Sequence, residues 1–168
     1  MLEAFFQGTI GPTRSYMKSS YISKSASDTE AYAEQIGNNL KGGEIIELIS
    51  DLGGGKTTFV RGLARGMGST DAVSSPSFTI ANVYKSDDLT LFHYDFYRLN
   101  DPGILIHELK EATEDPNVVV VIEWSDIVKG ALSLPHIIIS MKPTKEDYRK
   151  IEVEVPENYA YISERLTS

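Results

Sequence analysis

Ser50-Asp51-Leu52-Gly53-Gly54-Gly55-Lys56-Thr57-Thr58 follows Glu44 to Ile49, which reads as a strand, and leads into Thr57 to Met67, which reads as a helix. Strand, glycine loop and helix in that order form the start of a phosphate-binding βα unit. Consecutive glycines let the backbone curl until successive N–H groups point into one concavity, and the helix that begins there adds the positive end of its dipole. Phosphate oxygens suit such a cup. Lys56 can reach β- and γ-phosphates as a point charge, and the Thr57 hydroxyl offers a hard oxygen ligand to Mg²⁺. Leu52, Gly53, Gly54, Gly55, Lys56, Thr57 and Thr58 are therefore the candidate ATP-binding residues. The common pattern G-x-x-x-x-G-K-[ST] has glycine where Ser50 stands, and a small serine preserves the turn. The structural alternative is an ordinary glycine-rich turn with a solvated lysine, and the flanking strand and helix argue against it.

Working outward, Tyr21 to Ser25 reads as a short first strand. Ser27 or Asp28 then caps a helix that carries Tyr32, Ile36 and Leu40 on one face and ends at Gly42 and Gly43. Beyond the loop, Thr79 to Tyr84 and Thr90 to Phe96 flank the turn-rich Lys85-Ser86-Asp87-Asp88 and predict an antiparallel hairpin. A helix follows over Gly103 to Ala112. The five β-branched residues Val118 to Ile122 predict a central strand buried on both faces, and His136 to Met141 and Lys150 to Val155 complete the sheet. The fold class is α/β, a single P-loop NTPase-like domain with a central, mostly parallel sheet, one antiparallel hairpin and flanking helices.

With 168 residues, 41% of them hydrophobic, the chain has material for one core. Residues 1–16 lack a helical or strand period. Leu2-Glu3-Ala4-Phe5-Phe6-Gln7-Gly8 resembles a protease-site linker appended for expression, and an authentic disordered extension is the alternative. The domain is thus placed at 17–168, with Met17 a candidate natural start. No basic segment precedes an apolar stretch, so no signal peptide is expected. There are no cysteines, which fits a reducing cytoplasm. Val118 to Ile122 is the longest apolar run, far short of the roughly 20 residues of a membrane helix. The net charge of −8 repels a phosphate backbone, so a nucleic acid is expected only through a partner.

A phosphate loop needs carboxylates nearby to position metal and water opposite the γ-phosphate. Glu123 ends the buried run, at the carboxyl end of a strand where open α/β sheets place their ligands. In Leu91 to Arg98, alternation puts Phe92, Tyr94 and Phe96 on one face and His93, Asp95 and Tyr97 on the other. Asp95 is a second candidate for Mg²⁺, directly or through water. His93 either lines the γ-phosphate pocket or is structural. Ser74 to Phe78 lies where nucleotide enzymes keep a segment that senses the γ-phosphate, with Ser77 as the sensing hydroxyl or part of an ordinary proline turn. Arg98 is either a phosphate contact or a surface residue.

Taken together, Asp51 to Gly62, Ser75-Pro76-Ser77-Phe78, His93 to Leu99 and Glu123-Trp124 resemble the TsaE family, formerly YjeE, over roughly Tyr21 to Val155. The resemblance implies a bacterial ATPase of tRNA threonylcarbamoyladenosine synthesis, slow by itself, that works with a TsaB and TsaD assembly in which TsaD carries out the transfer. By motif it implies that Lys56 and Thr57 bind phosphate and metal, that Asp95 and Glu123 serve Mg²⁺ and the hydrolytic water, and that Trp124 lies near the nucleotide. Ser77 stands where that family more often has threonine, and keeps the hydroxyl.

Two rival functions share the loop. A small-molecule kinase would bring several arginines together in a lid, whereas Arg61, Arg65, Arg98 and Arg149 are widely spaced. A nucleotide-gated binding module with incidental hydrolysis would need the same loop and metal, and differs only in what turnover accomplishes. A GTPase is disfavoured, because no Asn-Lys-x-Asp segment occurs.

Overall fold

The computed structural model describes residues 15–99, 101, 103–124, 126, 135–145 and 147–166. Of the leading segment 1–16, residues 1–14 lie outside that description. Strand β1 (Tyr16–Ser23) is followed by α1 (Ala26–Gly37), β2 (Ile45–Ile49), α2 (Lys56–Gly66), β3 (Ala81–Lys85) and β4 (Thr90–Asp95). Then come α3 (Leu105–Glu114), β5 (Val118–Glu123), β6 (Ile137–Pro143), β7 (Arg149–Pro156) and the short α4 (Ala160–Ser163). The seven strands form one sheet in the order β1-β7-β6-β2-β5-β4-β3. Its centre, β6-β2-β5-β4, is parallel, and antiparallel pairs flank it on both sides.

Burial follows from the strand period. Along β5, Val119 and Val121 face the core under α1 and α2, while Val118, Val120 and Ile122 face the core under α3. All six β5 residues are buried, as expected of a parallel strand covered on both sides. The larger core joins Tyr32 and Ile36 of α1 and Phe59 and Leu63 of α2 to β2, β6 and β7.

Helices α1 and α2 pack at backbone contact. A Cβ on Gly62 would stand 2.3 Å from the Glu30 carbonyl oxygen, and one on Gly66 would stand 2.3 Å from that of Glu34. Across this seam Arg61 and Arg65 pair with Glu30, and Arg65 also with Glu34. Both arginines are thereby committed to α1 rather than to a substrate lid.

Several boundaries differ from the sequence expectations. β1 runs from Tyr16 to Ser23 rather than from Tyr21 to Ser25, because it pairs with β7 along its whole length, from Tyr16 opposite Pro156 to Ser23 opposite Arg149. The α1 cap is Ser25, neither Ser27 nor Asp28. Its extended backbone lets Oγ accept from the Asp28 N–H at 3.1 Å, while the Asp28 carboxylate accepts from the Lys24 N–H at 2.8 Å. The helix stops at Gly37, before Gly42 and Gly43, which shape the turn into β2 with φ of 96° and 83°. β3 starts at Ala81, two residues late, because Ile80 has φ 70°, outside the strand region.

Candidate functional site

Parallel register brings the candidate groups together. β2 lies beside β5 and β5 beside β4, with Leu48 opposite Glu123 and Glu123 opposite Asp95. The loop after β2, Glu123 and Asp95 therefore stand in a row at the carboxyl ends of three adjacent strands, about 4.8 Å apart from strand to strand.

The loop takes its shape from two left-handed residues, Gly53 with φ 75° and Gly55, the residue that caps α2, with φ 100°. Neither would clash through an added Cβ, so glycine is required there by backbone conformation and not by space. Gly54 is different: a Cβ there would fall 1.6 Å from Ser50 Oγ. The serine at the pattern's first position thus covers Gly54.

Lys56, the first residue of α2, is only 7% exposed. Its ammonium donates to the carbonyls of Ser50 and Asp51, both at 3.1 Å, and lies 3.8 Å from Glu123 Oε2 and 5.2 Å from the Trp124 ring centroid. Asp95 is held from two sides. Ser77 Oγ donates to Oδ2 at 2.6 Å and the Tyr97 N–H to Oδ1 at 3.0 Å. A hydroxyl has one proton, so Ser75 Oγ is the donor in its 2.8 Å contact with Ser77 Oγ. The turn carrying these serines closes with the Ile80 N–H on the Pro76 carbonyl.

These groups line one cavity of about 220 Å³, bounded by Leu52 to Thr58, Ser75, Ser77, Asp95, Glu123 and Trp124. Of the residues put forward for the site, Leu52 to Thr58, Ser77, Asp95, Glu123 and Trp124 line it, whereas His93 and Arg98 do not. From the Ser74 to Phe78 segment the sequence reading singled out Ser77 alone, and Ser75 lines the cavity beside it. His93 is fully buried and its Nε2–H donates to Glu123 Oε1 at 2.7 Å. Arg98 stacks on the Phe78 ring at 4.5 Å rather than pointing into the loop. Trp124 has φ 58°, a strained backbone for an aromatic residue, and its ring tilts against Tyr97 at 4.9 Å between centroids. No pattern in the sequence signals that conformation. On the other side of the loop, a second cavity of about 320 Å³ shares Gly53, Gly55 and Thr58 as its wall and reaches Thr29, Asp147 and Arg149.

The donor set suits Mg²⁺. The Thr57 hydroxyl and the Asp95 and Glu123 carboxylates are hard oxygens on one cavity wall. Among the described residues no three acidic, histidine or cysteine side chains form a ready-made metal cage. Mg²⁺ rarely needs one, since it is held by one or two carboxylates, water and the substrate's own phosphates. Charge points the same way. Lys56 against Asp95 and Glu123 leaves one excess negative charge, which would repel a bare triphosphate and which a divalent cation reverses.

The family model described as "Threonylcarbamoyl adenosine biosynthesis protein TsaE" matches residues 23–151. The chain is 35% identical over 141 residues to the Bacillus subtilis protein named "tRNA threonylcarbamoyladenosine biosynthesis protein TsaE", covering 83% of this chain and 88% of that one. It is 32% identical over 138 residues to the Rickettsia typhi protein of the same name, covering 82% and 94%. Among solved structures, the crystal structure of Bacillus subtilis YdiB superposes with a TM-score of 0.76 at 30% identity, over 92% of this chain and 97% of that one.

Proposed function

Because the chain belongs to the TsaE family, we propose that it is an Mg²⁺-dependent ATPase that supports tRNA N6-threonylcarbamoyladenosine formation together with TsaB and TsaD. Contact with tRNA runs through those partners. The observation that carries this reading is the row formed by the left-handed glycine loop, Lys56, Glu123 and Asp95 on one cavity.

Lys56 is the cationic arm for the β- and γ-phosphates, exchanging the Ser50 and Asp51 carbonyls for phosphate oxygens. The loop's amides hold the triphosphate, and the nucleoside extends into the second cavity past Thr58. Thr57, Asp95 and Glu123 would hold Mg²⁺, which would supply charge neutralisation to the phosphates and to the leaving ADP. Glu123 orients the attacking water and takes up its proton as the water oxygen bonds the γ-phosphorus and ADP departs. Ser77, tied here to Asp95, registers the γ-phosphate. Among the described residues no helix is long and apolar enough to cross a membrane.

The reading is tested by incubating the purified chain with Mg·ATP, with and without the partner proteins. Release of phosphate, accelerated by partners, supports it. Phosphorylation of an added small alcohol or nucleoside would indicate the kinase, and binding without release a nucleotide-gated module.

Two measurements need only the purified chain. Lys56→Ala is expected to weaken Mg·ATP binding by about 1.5 to 3 kcal/mol, the scale of a lost charge-assisted hydrogen bond, or about 10- to 150-fold in Kd. Calorimetry showing unchanged affinity would remove Lys56 from this role. Trp124 is the sole tryptophan and lines the cavity, so its emission is expected to change on adding Mg·ATP. Constant emission alongside calorimetric binding would place the nucleotide elsewhere.

A further inference from the structure

His93 lies on β4 two residues before Asp95, on the same face of the strand, with none of its surface exposed. Parallel pairing sets it opposite Val121, so Glu123, two residues further along β5, is its diagonal neighbour on that face. A carboxylate oxygen only accepts, so the imidazole donates in the 2.7 Å bond from Nε2 to Glu123 Oε1. The other nitrogen, Nδ1, is buried and has no hydrogen-bond partner among the described residues. The Tyr84 ring lies 6.4 Å from the imidazole between centroids. A buried N–H without an acceptor is rarer and costlier than an unused lone pair. The ring is therefore held as the Nε2–H tautomer, a donor with one direction.

That direction matters to Glu123. A glutamate carboxylate sits at the end of several rotatable bonds, and a catalytic group gains from being locked before substrate arrives. With Oε1 taken by His93, Oε2 faces Lys56 at 3.8 Å. We propose that His93 is a positioning residue for hydrolysis, fixing the Glu123 carboxylate from behind the cavity wall so that one oxygen remains for the chemistry. This rests on the role given to Glu123 above. His93 itself touches neither nucleotide nor water. A merely structural histidine would instead support β4 packing, and its loss would lower stability and binding together.

The test compares His93→Gln, His93→Asn, Glu123→Ala and the double variant His93→Asn/Glu123→Ala in the full chain, by single-turnover phosphate release, Mg·ATP affinity and melting temperature. Glutamine carries an amide donor at the reach of Nε2, whereas asparagine carries the same amide one methylene short. His93→Asn is expected to slow release about 100-fold with Kd within about threefold, and His93→Gln to recover to within about tenfold of the parent. In the Glu123→Ala background His93→Asn is expected to cost less than about threefold, since nothing remains to be positioned. Release by His93→Asn near the parent rate while Glu123→Ala is slow would overturn the proposal and leave Glu123 in place. An unimpaired Glu123→Ala would overturn the functional reading itself. Equal losses of affinity and rate in His93→Asn would assign the residue to packing. If His93→Asn does not fold, a His93→Gln rate below about one-tenth of the parent's overturns the proposal.

Discussion

Glu123→Ala is expected to slow single-turnover phosphate release about 100- to 1,000-fold, the scale of a lost general base, while Mg·ATP affinity stays within about tenfold. The prediction follows from position. Glu123 ends β5 in the middle of the row, between the loop after β2 and Asp95 on β4, and is 3% exposed. Its carboxylate repels phosphate but, in the proposed reading, would also contribute to holding Mg²⁺, so its removal is expected to change binding in opposing directions. Catalysis has no such compensation, because the other carboxylate on the cavity, Asp95, is already engaged by Ser77 and the Tyr97 amide. Rapid-quench measurement of released phosphate with enzyme in excess, paired with calorimetry, reads both quantities. A rate within about threefold of the parent would show that the water is positioned by another group.

Gly62→Val is expected to destabilise the fold by about 3 kcal/mol or more. For a chain of this size that lowers Tm by about 6 to 12 °C. Replacing glycine inside a helix usually stabilises by roughly 1 kcal/mol, so the opposite sign needs a specific cause. Here a side chain meets the backbone of the neighbouring helix: the new Cβ would stand 2.3 Å from the Glu30 carbonyl oxygen and 2.6 Å from the Ala33 Cβ. Neither can move without separating α1 from α2 and opening the larger core around Ile36 and Leu63. Because α2 also carries Lys56 and Thr57 on its first turn, the separation would disturb the loop as well. Thermal melting followed by circular dichroism decides it, and a Tm within about 2 °C of the parent would mean that the helices do not approach as closely as described.

Much of this site is legible in the sequence because its signals are local. Gly53 to Thr57 announce a loop through backbone freedom and a cation at fixed spacing. Val118 to Ile122 announce a buried strand whose next residue, Glu123, must emerge at the ligand-bearing edge. The Ser25 cap has a local signal too, since Ser25 and Asp28 stand at capping-box spacing, although the periodicity of the apolar residues points to later positions.

Other features depend on contacts that local patterns do not encode. β1 reads as polar and irregular, and becomes a strand from Tyr16 only because β7 pairs along it. By residue type His93 suits a phosphate pocket and a packed interior equally, and the β4–β5 register turns it toward Glu123 instead. The left-handed backbones of Ile80 and Trp124 run against the preference of both residue types, so only surrounding packing can sustain them. Local chemistry thus specified which atoms could hold a triphosphate, because turn geometry and charge are properties of a few adjacent residues. Which side chains brace those atoms was settled by pairing between strands distant in sequence, where a shift of one residue would send His93 to the opposite face.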